Sequence, residues 1–256
     1  MPASGHVGRH PRRTAWTGLA ALILALLAFT AVATAHARGG DRRGGVERVV
    51  FIDYGRSPGH QALATPTAGA TDFRLLGGKP SWPAGSTIHY SVSTSGCSDD
   101  CTGAVSQVDA GFDAWQVSGL TFTRATTGDA NACGGSDSVT WAAIDGPGGV
   151  LASTAVCRTL GGPSKQIVGF QTVFDAGDTW SDSGASGKFD IGAVTTHEEG
   201  HTTGLDHVHA RRDARLTMYP FITSGDTGFR TLGCGDRLGV NALYGTSLSC
   251  LGVPLD

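Results

Sequence analysis

Charge is scarce in this chain. Of its 256 residues only 16% are charged, and the formal net charge is -3. Lysine stands only at Lys79, Lys165 and Lys188. No basic face that follows a phosphate backbone or an anionic membrane is built from this balance, so no nucleic acid partner is expected. Methionine is scarcer still: beyond the initiator there is only Met218. No cysteine precedes Cys97, and none of the six stands in Cys-x-x-Cys spacing, which argues against a cysteine-rich zinc site. Internal repeats are lacking as well. The 40% hydrophobic content suits a globular chain rather than a disordered one, with room for one sizeable domain and an export segment.

The N-terminus has the pattern of that export segment. Arg9, Arg12 and Arg13 precede an apolar run from Ala15 to about Ala33, and Ala35-His36-Ala37 has the small-x-small form of a cleavage site. Residues 1–37 are therefore read as a signal peptide, and the mature protein as secreted, extracellular and without stable membrane association. An uncleaved membrane anchor is the alternative, because the run approaches spanning length. The even number of cysteines in an exported chain points to disulfides. The expected pairing joins neighbours in sequence, Cys97–Cys101, Cys133–Cys157 and Cys234–Cys250, although other connectivities stay open.

Residues 38–72 are rich in Gly, Arg and Ala, with an apolar patch at Val49 to Ile52, and read as a linker or short prosegment. A domain over 73–256 follows. Ile88, Tyr90 and Val92 alternate in Thr87 to Ser93, the signature of a half-buried strand. Val105, Val108, Phe112 and Trp115 form one stripe of a helix from about Thr102 to Val117, a stripe that suits core packing. Further strands are expected at Leu120–Ala125, Val139–Ile144, Val150–Val156 and Ile167–Phe174. A second helix should begin at Asp190 as N-cap and run to about Thr203. A short last helix near Asp236–Tyr244 should stop at Gly245. That order describes an α+β (α/β-like) domain on one mixed sheet.

Residues 197 to 207 read HEEGHTTGLDH. His197 and His201 lie four apart, so a helix sets them one turn apart on one face, where two imidazoles can bind one zinc ion. Glu198, beside the first, is placed as a general base toward a water at an open metal position. Gly204 can take positive φ and turn the chain so that His207 supplies a third ligand. Three protein ligands and one open position make the catalytic pattern. His209 and Asp206 lack the spacing and are expected to be solvated or supporting groups. Glu199 is expected on the exposed side of the helix. Met218 follows in Leu216-Thr217-Met218-Tyr219-Pro220 and has the position of a methionine turn beneath such a site.

With these residues in view the chain resembles the metzincin metallopeptidases, and within them the matrixins, which include the matrix metalloproteinases. The resemblance runs from about Phe73 to Gly245. It is carried by Leu76-Gly77-Gly78-Lys79 with Trp82, by Asp145 to Gly149 followed by Leu151-Ala152, and by Phe174-Asp175 with Asp178-Thr179-Trp180. The zinc helix, Met218-Tyr219-Pro220, and the ending Asp236, Gly239 and Leu243-Tyr244-Gly245 complete it. The resemblance implies a five-stranded, mixed, twisted sheet with two long helices and a short C-terminal one. It also implies a zinc metalloendopeptidase, a hydrolase acting on protein or peptide substrates, here expected as a monomer. By the same resemblance the strand near Val150 to Val156, with Leu151 and Ala152, forms a rim to which an extended substrate pairs. Pro220 to Thr223 wall a side-chain pocket.

A structural calcium ion is implied too, with Asp145, Asp175 and Asp178 as carboxylates and Gly146, Gly148 and Val150 as backbone ligands. Hard oxygen donors around a glycine loop suit that ion, and ordinary Asp/Gly turns are the plainer alternative. The family's animal members carry a second zinc, but the matching positions here are Ser138, Thr140, Ser153 and Val173, not a ligand set. One zinc is expected, with Cys133–Cys157 cross-linking the region instead. The animal members also block the zinc with a prosegment cysteine, a device this chain lacks. Two rival readings remain at this stage: a secreted zinc hydrolase of a non-peptide bond, and a non-catalytic binding module stabilised by metal.

Overall fold

The computed structural model describes residues 45–56, 70–161 and 165–250. The expected signal peptide lies outside the described residues. Among those described, no helix is long and apolar enough to cross a membrane.

Among the described residues, seven strands form the main sheet: β1 (Val46–Arg56), β2 (Thr87–Ser93), β3 (Thr121–Arg124), β4 (Ser138–Ala142), β5 (Val150–Thr159), β6 (Ile167–Asp175) and β7 (Phe221–Thr223). Their order across the sheet is β7-β1-β5-β6-β4-β2-β3. The five expected strands are the contiguous run β5-β6-β4-β2-β3, with β5 antiparallel to β6 and the others parallel. The sheet thus exceeds the five-strand expectation by β1 and β7, both added at the β5 edge. Residues 46–56, which composition placed in a linker or prosegment, are the longest strand of the sheet. β1 runs antiparallel to β5 and parallel to β7.

Among the described residues there are three α-helices, α1 (Ala104–Trp115), α2 (Ile191–Thr202) and α3 (Cys234–Tyr244), of which α1 and α2 pack on this sheet. In α1 the inward positions Val108, Phe112 and Trp115 are buried, as their spacing requires. Phe112 stacks on Tyr90 of β2, with ring centroids 3.7 Å apart. Helix α2 begins as expected: the Asp190 carboxylate accepts the Ala193 N–H at 2.8 Å and is itself clamped by Arg230. All twelve residues of α2 are buried. The expected exposure of Glu199 is therefore wrong. A helix covered on every side has no polar face, so the residue opposite the histidines lies in the interior. Gly245 ends α3 at φ +68°. The three expected disulfides are all formed.

Candidate metal centre

The fold brings His197, His201 and His207 to one point. The chain leaves α2 through Gly204 at φ +101°, where a Cβ would lie 2.5 Å from the Pro80 carbonyl. Only glycine fits that turn. It returns His207 to the face of the helix that carries the other two. The Nε2 atom of His207 lies 3.1 Å from that of His197 and 3.0 Å from that of His201. His197 and His201 are fully buried, and His207 nearly so.

Each helical imidazole is oriented from behind. The Nδ1 of His201 faces the Leu205 carbonyl at 3.0 Å, and the Nδ1 of His197 faces that of Thr217. A carbonyl accepts only, so Nδ1 carries the proton and the Nε2 lone pair points inward. The three Nε2 atoms thus converge on one point. That donor set fits one divalent transition metal ion.

The floor beneath is the turn Leu216–Tyr219. A Cβ on Gly200 would lie 2.2 Å from Met218 Sδ, so the methionine seats directly against the last turn of the histidine helix. The turn is held by α3: buried Asp236 accepts the N–H of Thr217 at 2.9 Å and that of Met218 at 3.2 Å. Asp236 thereby fixes the carbonyl that orients His197. The last carbonyls of α2, which have no partner within the helix, accept from Trp82 Nε1 (to Thr202, 2.8 Å) and Tyr244 Oη (to Thr203, 2.7 Å).

Two carboxylates flank the histidines. Glu198 is fully buried, with Asp53 and Thr154 as polar neighbours and no hydrogen bond of ordinary geometry to either oxygen. Burial, and then the charge of Asp53, push its carboxyl well above the usual range. The second carboxylate, Asp53 of β1, was not anticipated. Its Oδ1 lies 2.8 Å from His197 Nε2 and 2.7 Å from His207 Nε2, and its Oδ2 is 3.7 Å from His201 Nε2. Burial would raise its pKa, but the charge and hydrogen bonds of the histidines outweigh that and hold it well below the carboxylate range. His197 is correspondingly raised, whereas burial draws His201 down to about 4. Among the described residues, Asp53, His197, His201 and His207 are the group whose ligand atoms gather closely enough to share a metal. One signal for Asp53 was present: a lone carboxylate inside the apolar run Val49-Val50-Phe51-Ile52-Asp53-Tyr54. A charge that points inward from such a strand needs a partner.

A family profile described as Matrixin matches residues 81–245, well over half of the chain. The chain belongs to the matrixin family. This matrixin is 29% identical to human neutrophil collagenase over 198 residues, covering 72% of the chain and 38% of that protein. It is 31% identical to human matrix metalloproteinase-20 over 201 residues (75% and 38%), and 30% identical to macrophage metalloelastase of Oryctolagus cuniculus over 194 residues (72% and 39%). The aligned region of the matrixin thus accounts for well under half the length of these relatives.

The residues assigned to calcium lie on neighbouring turns, but their carboxylates do not gather as closely as the histidine group does. The turn Asp145–Gly149 packs against Asp175 and Asp178. Asp175 accepts four N–H groups, from Ile144, Asp145, Gly146 and Gly177, which lower its pKa against the cost of burial. Asp145 accepts the Val150 N–H. Asp178 accepts from Gly148 at 2.8 Å through Oδ1, while its buried Oδ2 has no partner. Burial and the neighbouring Asp175 and Asp145 raise Asp178 to about 6. Leu151 and Ala152 are fully buried beneath β1, whose Asp53 and Tyr54 stand opposite Ala152 and Val150. Pro220 offers its carbonyl to the Tyr54 N–H at 3.4 Å. Asp206 supports its own turn by accepting the His207 N–H at 2.8 Å.

Proposed function

We propose that this matrixin is a secreted zinc-dependent endopeptidase with His197, His201 and His207 as metal ligands and Glu198 as general base. The observation that carries the proposal is the convergence of three Nε2 atoms, two with Nδ1 tied to a carbonyl, beside a buried carboxylate. A zinc ion held there would polarise a peptide carbonyl and acidify water. The chain's own residues do the rest. Glu198, its carboxylate buried beside the histidines, accepts a proton from the attacking water and returns it to the departing amine. The Leu151–Ala152 edge offers main-chain groups to an extended peptide, and Pro220 to Thr223 border it on the other side. A purely structural metal site needs no carboxylate of this kind and is more often closed by four lasting protein ligands.

One calcium ion at the Asp145–Gly149 turn belongs to the same proposal. The unpartnered, buried Asp178 Oδ2 supports it, with Asp145 beside it. Asp175 there shapes the turn, since its oxygens are already engaged by backbone N–H groups. No second zinc is proposed. Thr140 and Ser153 both stand opposite Val173, and Cys133–Cys157 cross-links that part of the sheet.

The test is casein or peptide-library digestion by the processed protein, with a chelator and after zinc is restored, beside Glu198→Gln. Cleavage should vanish with the chelator and return with zinc. Glu198→Gln should retain zinc and lose roughly 100- to 10,000-fold in rate, the range of general-base removal. If processed protein and variant both hold zinc and neither cuts any peptide, the peptidase reading fails.

A further inference from the structure

We infer that β1 is an internal inhibitor: it lies in the substrate's place along the cleft, and its Asp53 carboxylate closes the fourth position at the metal. The inference rests on the peptidase reading for its purpose, but its geometry is independent of that reading.

The position is occupied as a substrate would occupy it. β1 is hydrogen-bonded on both sides, antiparallel to β5 from Val46↔Thr159 through Tyr54↔Val150 and parallel to β7 from Tyr54↔Phe221 to Arg56↔Thr223. These are the two edges proposed to hold a peptide. Gly55 donates to the Gly149 carbonyl at 3.0 Å. A Cβ at Gly55 would lie 2.7 Å from Phe189 and 3.0 Å from Leu151, so the strand sits tightly in the floor of the cleft.

The chemistry is that of a blocking ligand. The register of β1 on β5 shifts between Asp53 and Tyr54, an irregularity that re-aims a side chain. Asp53 turns inward and reaches the Nε2 of all three histidines. A carboxylate oxygen is a good ligand for zinc beside three imidazoles, and a fourth protein ligand leaves no open position for water. Phe51, two residues earlier on the same face, stacks on His201 with centroids 3.9 Å apart and planes 6° from parallel. Glu47 anchors the start of the strand to Arg158 at 2.7 Å.

Tethering decides the competition. A segment of the same chain acts at an effective concentration of order mM. Typical KM values run from about 1 μM to 1 mM, so a free peptide gains little against a strand already in place. Here a carboxylate does what a prosegment cysteine does in the animal members, and activity requires that β1 leave.

The experiment compares full-length, zinc-loaded wild type with Asp53→Ala, Asp53→Asn and Gly55→Val. Two readouts are taken: cleavage of a peptide library, and the visible spectrum of the cobalt-substituted proteins titrated with acetohydroxamate, which needs an open metal position. Wild type should cut slowly and leave its cobalt spectrum unmoved. Asp53→Ala should bind acetohydroxamate and cut at least about 100-fold faster, as expected when a competent state held near 1% becomes dominant. Gly55→Val, which disturbs the strand without touching the ligand, should shift the same way by less. Asp53→Asn keeps the shape of the side chain and serves if the alanine variant does not fold. Equal hydroxamate binding and equal rates in wild type and variants overturn the inference while leaving the peptidase reading intact. Variants that open to hydroxamate yet cut nothing support the inhibitor and sink the peptidase reading.

Discussion

The histidines are gripped from two sides by regions of different build. On one side, α2 and the Leu216–Tyr219 turn lock together through short, buried, specific contacts: Asp190 and Arg230 at the helix start, Met218 against Gly200, Asp236 beneath the turn. On the other side, β1 is a single layer held by strand pairing. Its inner face is Phe51, Asp53 and Gly55, and its outer face (Val50, Ile52, Tyr54) is more than 40% exposed. The first region is a frame that orients ligands whether or not anything is bound. The second covers the cleft from outside. The difference separates what makes the metal site from what silences it.

The largest expected effect breaks the frame itself. His201→Ala removes a proposed ligand and the ring on which Phe51 stacks. Zinc affinity, measured by competition with a chromogenic chelator, should fall by more than the roughly 10- to 100-fold that loss of a ligand's hydrogen-bond partner produces. An unchanged affinity would mean that the three imidazoles do not share an ion.

Next come the supports. Asp236→Ala leaves the N–H groups of Thr217 and Met218 buried without acceptors, each a cost of about 1–3 kcal/mol. It also frees the carbonyl that orients His197, so thermal stability and zinc affinity should fall together. Gly200→Val drives a branched side chain into Met218 and Trp115, with an overpacking cost of about 1–3 kcal/mol in denaturant unfolding. If β1 rather than this frame held the site together, Asp53→Ala would match these losses.

A smaller effect concerns the Asp145–Asp178 turn. The folded pKa of Asp178 is raised to about 6 from an ordinary 3.8. The folded state therefore holds the proton more tightly than the unfolded chain. Stability from this group is complete below about pH 4 and declines as pH rises toward 6. A calcium ion would offset the charge repulsion above that window. Added calcium should therefore raise the melting temperature at pH 7.5 and do so less at pH 5. A shift that does not depend on pH would remove Asp178 from the calcium proposal.

Much of the frame was legible because its information is local. A spacing of four places two histidines on one helix face, a glycine turns the chain, and Asp190 declares the helix start. Disulfides between sequence neighbours were readable for the same reason. Two features were not. Glu199 was misplaced because amphipathic reasoning assumes a solvent face, and α2 has none. Asp53 was missed because its partners lie 144 or more residues away, and pairing of β1 with β5 and β7 depends on long-range register rather than local pattern. The apolar patch at Val49 to Ile52 is visible in the sequence, but a patch inside a Gly- and Arg-rich stretch does not announce that it will enter a sheet.

The smallest expected effect sharpens the division between the two faces of β1. Ile52 points away from the cleft and is 43% exposed, while its neighbours Phe51 and Asp53 are buried against the histidines. If the strand inhibits through its inner face, Ile52→Thr keeps β-branching and should change stability by no more than about 0.5 kcal/mol. It should also leave the cobalt spectrum as silent to acetohydroxamate as wild type. Phe51→Ala, one residue away, removes the stack on His201 and should let the hydroxamate in. Were Ile52→Thr to open the site as far as Phe51→Ala, the closure would reside in the whole layer and whatever covers its outer face, and not in the residues that touch the metal ligands.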